Sequence, residues 1–134
     1  MAGISNNKRQ LRSNLSRVRG LGSTREGVHH WWAQRMSAVA LLPLSMWFMY
    51  SLITLTGADY QSFHTWASEF GNSVFLVLFV ITLFHHAQLG VTVVVEDYVH
   101  SEPVKMAMIL VVKYGTMLFA ASSVFAVLKI SLAG

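Results

Sequence analysis

Three long apolar stretches separated by short polar segments predict three membrane-spanning helices. The stretches cover residues 30–54, 72–95 and 104–132. About 20 apolar residues suffice for an α-helix to cross a bilayer, so each stretch is long enough to span it. Residues 57–71 are predicted to form a short loop, and Pro103 suits the first turn of the third helix. We therefore predict an all-α membrane protein in which residues 27–134 form a three-helix membrane unit.

The composition agrees with a membrane location and limits the available metal chemistry. The chain is 54% hydrophobic and only 12% charged, and its mean hydropathy is +0.49. Soluble domains carry about 25% charged residues. The chain has no cysteine, which excludes disulfides, cysteine-ligated iron–sulfur clusters and thiolate-ligated haem within it. Its six histidines are the remaining strong ligands for a transition metal.

Residues 1–26 are predicted to form a basic arm. Six of the ten Lys and Arg residues lie in it: Lys8, Arg9, Arg12, Arg17, Arg19 and Arg25. Basic residues beside a first span usually stay on the inner side of the membrane, so we expect the N-terminus inside, in the cytoplasm or the matrix, and the C-terminus outside. The arm is also similar to a mitochondrial transit peptide. It lacks interleaved aromatic residues, so we do not expect nucleic-acid binding.

The second apolar stretch contains the adjacent pair His85 and His86. His86 lies about 14 residues into the span, or ~21 Å along it at 1.5 Å per residue. Adjacent helical residues point ~100° apart, so only one of the two can face a given neighbour. Gly90 follows one turn after His86 and leaves a recess of the kind a haem edge requires. His86 is therefore a candidate haem ligand, and the alternative is a core histidine that bonds to a neighbouring helix.

Four further residues are candidates near the ends of the spans. Asp97 and Tyr98 follow the second span, where a phenol can donate to a quinone carbonyl and a carboxylate can relay protons. The alternative is an interfacial tyrosine beside a solvated acid. His29 and Arg35 lie at the entry to the first span. They either reach the membrane interface or, in the case of Arg35, pair with an anion such as a haem propionate.

Three spans return Asp97 and Tyr98 to the membrane face of the basic arm. A haem held by two histidines needs a second imidazole on the opposite side of the iron. His29 is too shallow to supply it, and His85 points away from His86. We therefore expect the second ligand to come from another chain, in a hetero-oligomeric helix bundle.

Three short motifs, in this order and spacing, resemble the hydrophobic membrane anchor subunits (D chains) of bacterial succinate dehydrogenase, respiratory complex II. The first motif is Gly-Val-His at residues 27–29, followed by Arg35 and Ser-Ala-Val. The second is His86-Ala87-x-x-Gly90, and the third is Asp97-Tyr98, eleven and twelve residues after that histidine. The resemblance covers residues 27–132 and leaves the basic arm outside it.

The resemblance implies that this chain and a second, cytochrome b anchor subunit hold haem b between them. His86 would be an axial ligand of the haem iron, although His85 directly precedes it and either could ligate. His29 and Arg35 would lie near the haem propionates. Tyr98 would hydrogen-bond ubiquinone, with Asp97 beside it.

The resemblance also implies a role without catalysis by this chain alone. It would dock the iron–sulfur subunit and the flavoprotein subunit, where succinate is oxidised, to the lipid membrane. The alternatives are the anchor of a related quinone-linked complex, such as fumarate reductase, or a small membrane protein with no redox role.

Overall fold

The computed structural model describes residues 24–132, and its side chains are described from residue 27 onward. This part of the chain forms four helices: α1 (Thr24–Thr54), α2 (Tyr60–Ser68), α3 (Phe70–Tyr98) and α4 (Glu102–Leu132). The segments Gly27–Thr54, Phe70–Tyr98 and Glu102–Leu132 are long and apolar enough to cross a membrane. The prediction of an all-α protein with three spanning helices is confirmed. Most of the predicted basic arm, residues 1–23, lies outside the described residues.

The prediction of a loop over residues 57–71 is wrong, because α2 forms within it. The Asp59 carboxylate accepts a hydrogen bond of 3.0 Å from the backbone N–H of Ser62, which caps the first turn. Gly57, with φ +83°, makes the turn that separates α2 from α1. At the other end, the Ser73 hydroxyl donates to the carbonyl of Ala67 at 2.8 Å. Both ends of this short helix are thus held by side chains close in sequence.

Helices α3 and α4 pack against one another as an antiparallel pair. The hydroxyl oxygens of Ser73 and Ser131 lie 3.0 Å apart, and the Thr116 hydroxyl lies 3.2 Å from the Gln88 side-chain oxygen. These two polar contacts are 15 residues apart on each helix (73 to 88 and 116 to 131), or about 22 Å at 1.5 Å per residue. The helices therefore keep the same register over most of their length.

Helix α1 contacts α3 through aromatic rings. The rings of Phe48 and Phe79 stack with centroids 4.6 Å apart, and Trp47 lies 5.1 Å from Phe75. Offset and tilted aromatic pairs of this kind favour a fixed helix spacing. Since α3 also packs against α4, it is the central helix of residues 33–132.

The few buried residues are mostly small, and half of them are serines. Ser37, Ser51 and Ser73 are buried together with Ala67, Leu89 and Val95, whereas large side chains such as Met46 and Phe125 are mostly exposed. In a bilayer the surrounding lipid is as apolar as leucine, so helices associate through small residues and hydrogen bonds. This distribution is typical of a membrane bundle.

The chain divides between Trp32 and Ala33 into two units, of which the first contains the start of α1. In that first unit the indole rings of Trp31 and Trp32 meet edge to face at 5.5 Å. Paired tryptophans at the end of a span are typical of the membrane interface.

Candidate functional site

His86 makes a polar contact between two of the apolar helices. Its Nδ1 lies 2.9 Å from the hydroxyl oxygen of Ser37 on α1. Ser37 is buried, with 7% of its surface exposed, and His86 is half-buried. The Ser37 hydroxyl also donates to the backbone carbonyl of Gln34, one turn earlier, at 2.9 Å. The imidazole is therefore attached to α1 through one nitrogen.

The second imidazole nitrogen, Nε2 of His86, forms no hydrogen bond to any described residue. The contact with Ser37 alone would also fit the alternative of a histidine satisfied by its neighbouring helix. Nε2 is the nitrogen left for a metal ion or for a group outside the described residues. An imidazole whose other nitrogen is hydrogen-bonded is the usual arrangement of a metal-ligating histidine.

His85 differs from its neighbour in environment. It is exposed on the surface of α3 and forms no hydrogen bond within the described part of the chain. The ~100° between adjacent helical positions turns it away from α1. Of the two candidates, only His86 has a side-chain partner that orients its ring.

Gly90 opens toward α1. A Cβ added at Gly90 would lie 3.9 Å from the side-chain nitrogen of Gln34, which is an ordinary van der Waals distance. On this side the nearest neighbour of Gly90 is the Gln34 amide. Ser37 and Gln34 on α1 together face His86 and Gly90 on α3, so one turn of each helix forms the contact.

Asp97 and Tyr98 lie in the last turn of α3, and both are exposed. At ~100° per residue, Asp97 lies about 20° from His86 around the helix and Tyr98 about 120° from it. Tyr98 lies about 18 Å from His86 along the axis. Its side chain is 78% exposed and its hydroxyl forms no hydrogen bond within residues 27–132. The phenol is therefore available to a ligand or to another chain.

His29 and Arg35 are both exposed on α1. His29 belongs to the unit that ends at Trp32, and Arg35 to the unit that begins at Ala33. In the described part of the chain, no three His, Asp or Glu side chains converge as a metal cage would require. A haem needs fewer protein ligands than a metal cage, because the macrocycle supplies four nitrogens and the protein supplies only the axial ligands.

Sequence reasoning missed Ser37 and Gln34 as parts of this site. Ser37 belongs to the Ser-Ala-Val motif, but its partner lies 49 residues away, on another helix. The available clue was a serine inside an apolar span, since polar side chains there commonly hydrogen-bond across helices.

The fold defines a multi-pass helical membrane protein with one oriented intramembrane histidine. Residues 7–127 match the family described as succinate dehydrogenase/fumarate reductase transmembrane subunit. This chain belongs to that family. The match begins at residue 7, so the earlier restriction of the resemblance to residues 27–132 is wrong, and part of the basic arm belongs to the family's sequence pattern.

Individual relatives carry more specific names. A Rickettsia bellii protein named succinate dehydrogenase hydrophobic membrane anchor subunit is 30% identical over 117 residues, which cover 87% of this chain and 94% of its own. A Paracoccus denitrificans protein of the same name is 32% identical over 113 residues, 84% of this chain and 87% of its own. The Reclinomonas americana succinate dehydrogenase membrane anchor subunit is 30% identical over 95 residues, 67% of this chain and 78% of its own.

Proposed function

We propose that this chain is the membrane-anchor subunit of a succinate:quinone oxidoreductase. It would help to bind haem b and ubiquinone and would dock the flavoprotein and iron–sulfur subunits to the membrane. The family match and the relatives' names support an anchor of this class. The observation that carries the haem assignment is the contact between His86 and Ser37, which leaves Nε2 open within a spanning helix.

The residues around His86 fit an axial ligand of haem b. The imidazole lies about 18 Å from the inner end of α3, at a depth where a haem can be shielded from water. Haem b, when bound, supplies an iron centre that accepts and releases one electron. His86 would hold it through Nε2, while Ser37 occupies Nδ1. His85 has no such partner within residues 27–132, which supports His86 as the ligand of the two.

The second axial ligand would come from a partner subunit of the cytochrome b type. Two observations support a shared site. Among the described residues, His86 is the only histidine of α3 with a side-chain partner on another helix. Many large apolar side chains on α4, such as Val111 and Phe125, are more than two-thirds exposed and could be covered by other helices or by lipid. The chain would thus form half of a hetero-oligomeric bundle.

Tyr98 and Asp97 would form this chain's part of the quinone site. The exposed Tyr98 hydroxyl can donate a hydrogen bond to a quinone carbonyl, and the adjacent Asp97 carboxylate can accept or pass on a proton. Both lie at the end of a spanning helix, where an amphipathic quinone headgroup meets water. Arg35 and His29 would lie near the haem propionates, because a guanidinium is well suited to bind carboxylates.

The orientation proposed for the protein follows from charge. Residues 1–26 hold six of the ten basic residues and would stay in the cytoplasm, with residues 27–134 forming the membrane anchor. The turn between α3 and α4 would face the same side, and the C-terminus the periplasm. Tyr98 would then lie on the side where the iron–sulfur subunit delivers electrons.

Spectra of two adjacent histidine variants test the haem assignment. The complex would be purified in mild detergent, its chains identified, and dithionite-reduced minus oxidised spectra recorded. We expect a b-type band and three partner chains for the unchanged protein, loss of the band in His86→Ala, and retention in the matched control His85→Ala. A stable, haem-free single chain would contradict the proposal and favour a membrane protein without a redox role. Loss of the band in His85→Ala alone would reassign the ligand.

The family description also names fumarate reductase, so the anchor of such an enzyme is the second candidate. The purified complex distinguishes the two through its catalytic bias. Faster succinate oxidation with a ubiquinone analogue than fumarate reduction with a quinol supports the first proposal. The opposite ratio supports the second.

A further inference from the structure

The contacts of the Ser37 hydroxyl restrict how the His86 imidazole can carry its proton. A serine hydroxyl has one proton to donate and two lone pairs to accept with. The Ser37 hydroxyl lies 2.9 Å from the backbone carbonyl of Gln34 and 2.9 Å from Nδ1 of His86. When the hydroxyl donates to the carbonyl, its oxygen accepts from the Nδ1–H group and the lone pair of Nε2 stays free. When the hydroxyl donates to Nδ1 instead, the proton of the ring lies on Nε2.

From this geometry we infer that Ser37 is a positioning residue for the haem ligand. It holds the His86 imidazole in the tautomer and ring orientation that present the Nε2 lone pair to the iron. This inference rests on the proposed role of His86. It adds a residue that acts through the ligand and does not touch the haem itself.

Within residues 27–132 this contact is the hydrogen bond that orients the ring. Ser37 is buried, and His86 forms no other hydrogen bond with residues 27–132. An unpaired imidazole N–H in an apolar environment loses a hydrogen bond that water would otherwise supply. Without Ser37 the ring would be free to rotate about its side-chain bonds or to exchange tautomers, and some of its population would turn the protonated nitrogen toward the iron.

The same hydrogen bond should influence the electronic properties of the ligand. A partner that accepts from the N–H of a ligating histidine makes the ring more basic, and loss of such partners commonly weakens metal binding by about 10- to 100-fold. A more basic ligand favours ferric over ferrous iron, so removing the acceptor should raise the midpoint potential. A tenfold loss confined to the ferric state corresponds to a rise of about 59 mV for one electron.

Ser51 provides a matched control on the same helix. It is buried to a similar degree, with 4% of its surface exposed, and its hydroxyl donates to the carbonyl of Trp47 one turn earlier at 2.9 Å. Ser37 makes the equivalent bond to Gln34. The two serines therefore differ chiefly in the imidazole that only Ser37 contacts.

The test compares Ser37→Ala, Ser37→Thr and Ser51→Ala in the complete detergent-purified complex. The measurements are haem content per complex, the midpoint potential from an optical redox titration, and the EPR g-values of the ferric haem. For Ser37→Ala we expect lower haem content or a raised potential, with shifted g-values. Ser37→Thr keeps the hydroxyl and should restore all three. Ser51→Ala should match the unchanged protein.

Two further outcomes keep the inference separate from the proposed function. If the unchanged complex contains haem that His86→Ala removes, but Ser37→Ala alters neither content, potential nor g-values, the positioning role is wrong and the ligand assignment stands. If the unchanged complex contains no haem, the proposed function itself fails. Should Ser37→Ala not assemble, Ser37→Cys keeps the side-chain volume with a much weaker acceptor. Unshifted values in that variant would also overturn the role.

Discussion

The indole rings of Trp47 on α1 and Trp66 on α2 stack with their centroids 6.0 Å apart and their planes 21° from parallel. Trp47 also contacts Phe75 on α3, with centroids 5.1 Å apart. Trp47 therefore joins three helices near the end of the bundle opposite Tyr98. The short helix α2 is held in place by this stack as well as by its capping hydrogen bonds.

Replacement of Trp66 by alanine should loosen α2. Trp66 is half-buried, so we expect a loss of about 1–2 kcal/mol in stability, below the range for fully buried tryptophans. Thermal unfolding of the purified complex in detergent measures this loss of stability. Phe70→Ala is the control, because Phe70 is 83% exposed and makes no ring contact with a described residue. An equal loss in both variants would mean that the stack with Trp47 contributes nothing specific.

Substitutions at Gly90 should be limited by the space beside Gln34. Gly90→Ala should assemble normally, because a Cβ there meets Gln34 at an ordinary 3.9 Å. Gly90→Leu should push α1 from α3, at a cost of about 1–3 kcal/mol, and disturb the haem band through the contact between Ser37 and His86. Gly115→Leu is the control, since no atom lies within 4 Å of a Cβ at that position. Normal spectra for Gly90→Leu would contradict the close approach of the two helices.

Replacement of Tyr98 by phenylalanine should weaken quinone binding without preventing assembly. The change removes one exposed hydroxyl, and a single hydrogen bond contributes about 0.5–1.5 kcal/mol, or up to about a tenfold rise in KM for a ubiquinone analogue. Succinate oxidation with a soluble electron acceptor should be unchanged. Tyr114→Phe removes a similarly exposed hydroxyl from α4 and should alter neither value. An unchanged KM in Tyr98→Phe would remove Tyr98 from the proposed quinone site.

The cap at Asp59 should make α2 sensitive to acid. Hydrogen bonds from the side chain and the backbone N–H of Ser62 lower the pKa of Asp59 below its usual 3.8. Because the pKa is lower in the folded state, the cap stabilises the fold at pH values above 3.8. That contribution is lost as the pH falls through the lowered pKa. The melting temperatures of Asp59→Ala and the unchanged protein should therefore differ at pH 7 and converge once the pH has fallen below the lowered pKa. A difference that persists in acid would show that the carboxylate charge is not responsible.

The missed helix α2 shows what local pattern reasoning overlooks between two spans. Its nine residues lie within the segment 57–71 that was predicted to be a loop between two spans. Two local features would have indicated a helix, namely Asp59 three residues before Ser62, as in a capped first turn, and the helical spacing of Tyr60, Phe63 and Ala67. The stack with Trp47 that secures it joins residues 19 positions apart, so it was not readable from the local pattern.

For the candidate site, too, some features could be predicted from the sequence and others could not. His86 could be singled out from sequence because an ionisable group in a long apolar run is costly and therefore informative. Its orientation could not be predicted, since Ser37 lies 49 residues earlier and any of several serines could have faced it. Similarly, Gly90 was expected to leave space beside the imidazole, but the identity of the neighbour, Gln34, depended on how α1 and α3 meet.

By itself the sequence determined the three spanning helices, because the length of an apolar stretch and the cost of exposing backbone polar groups to lipid leave a helix as the stable form. It also indicated His86 and Tyr98 as candidates through their place in those stretches. Only the tertiary structure decided that Nδ1 of His86 meets Ser37 and that Nε2 remains open. Such pairings depend on the rotation and register of one helix against another, which are determined by side-chain contacts distant in sequence.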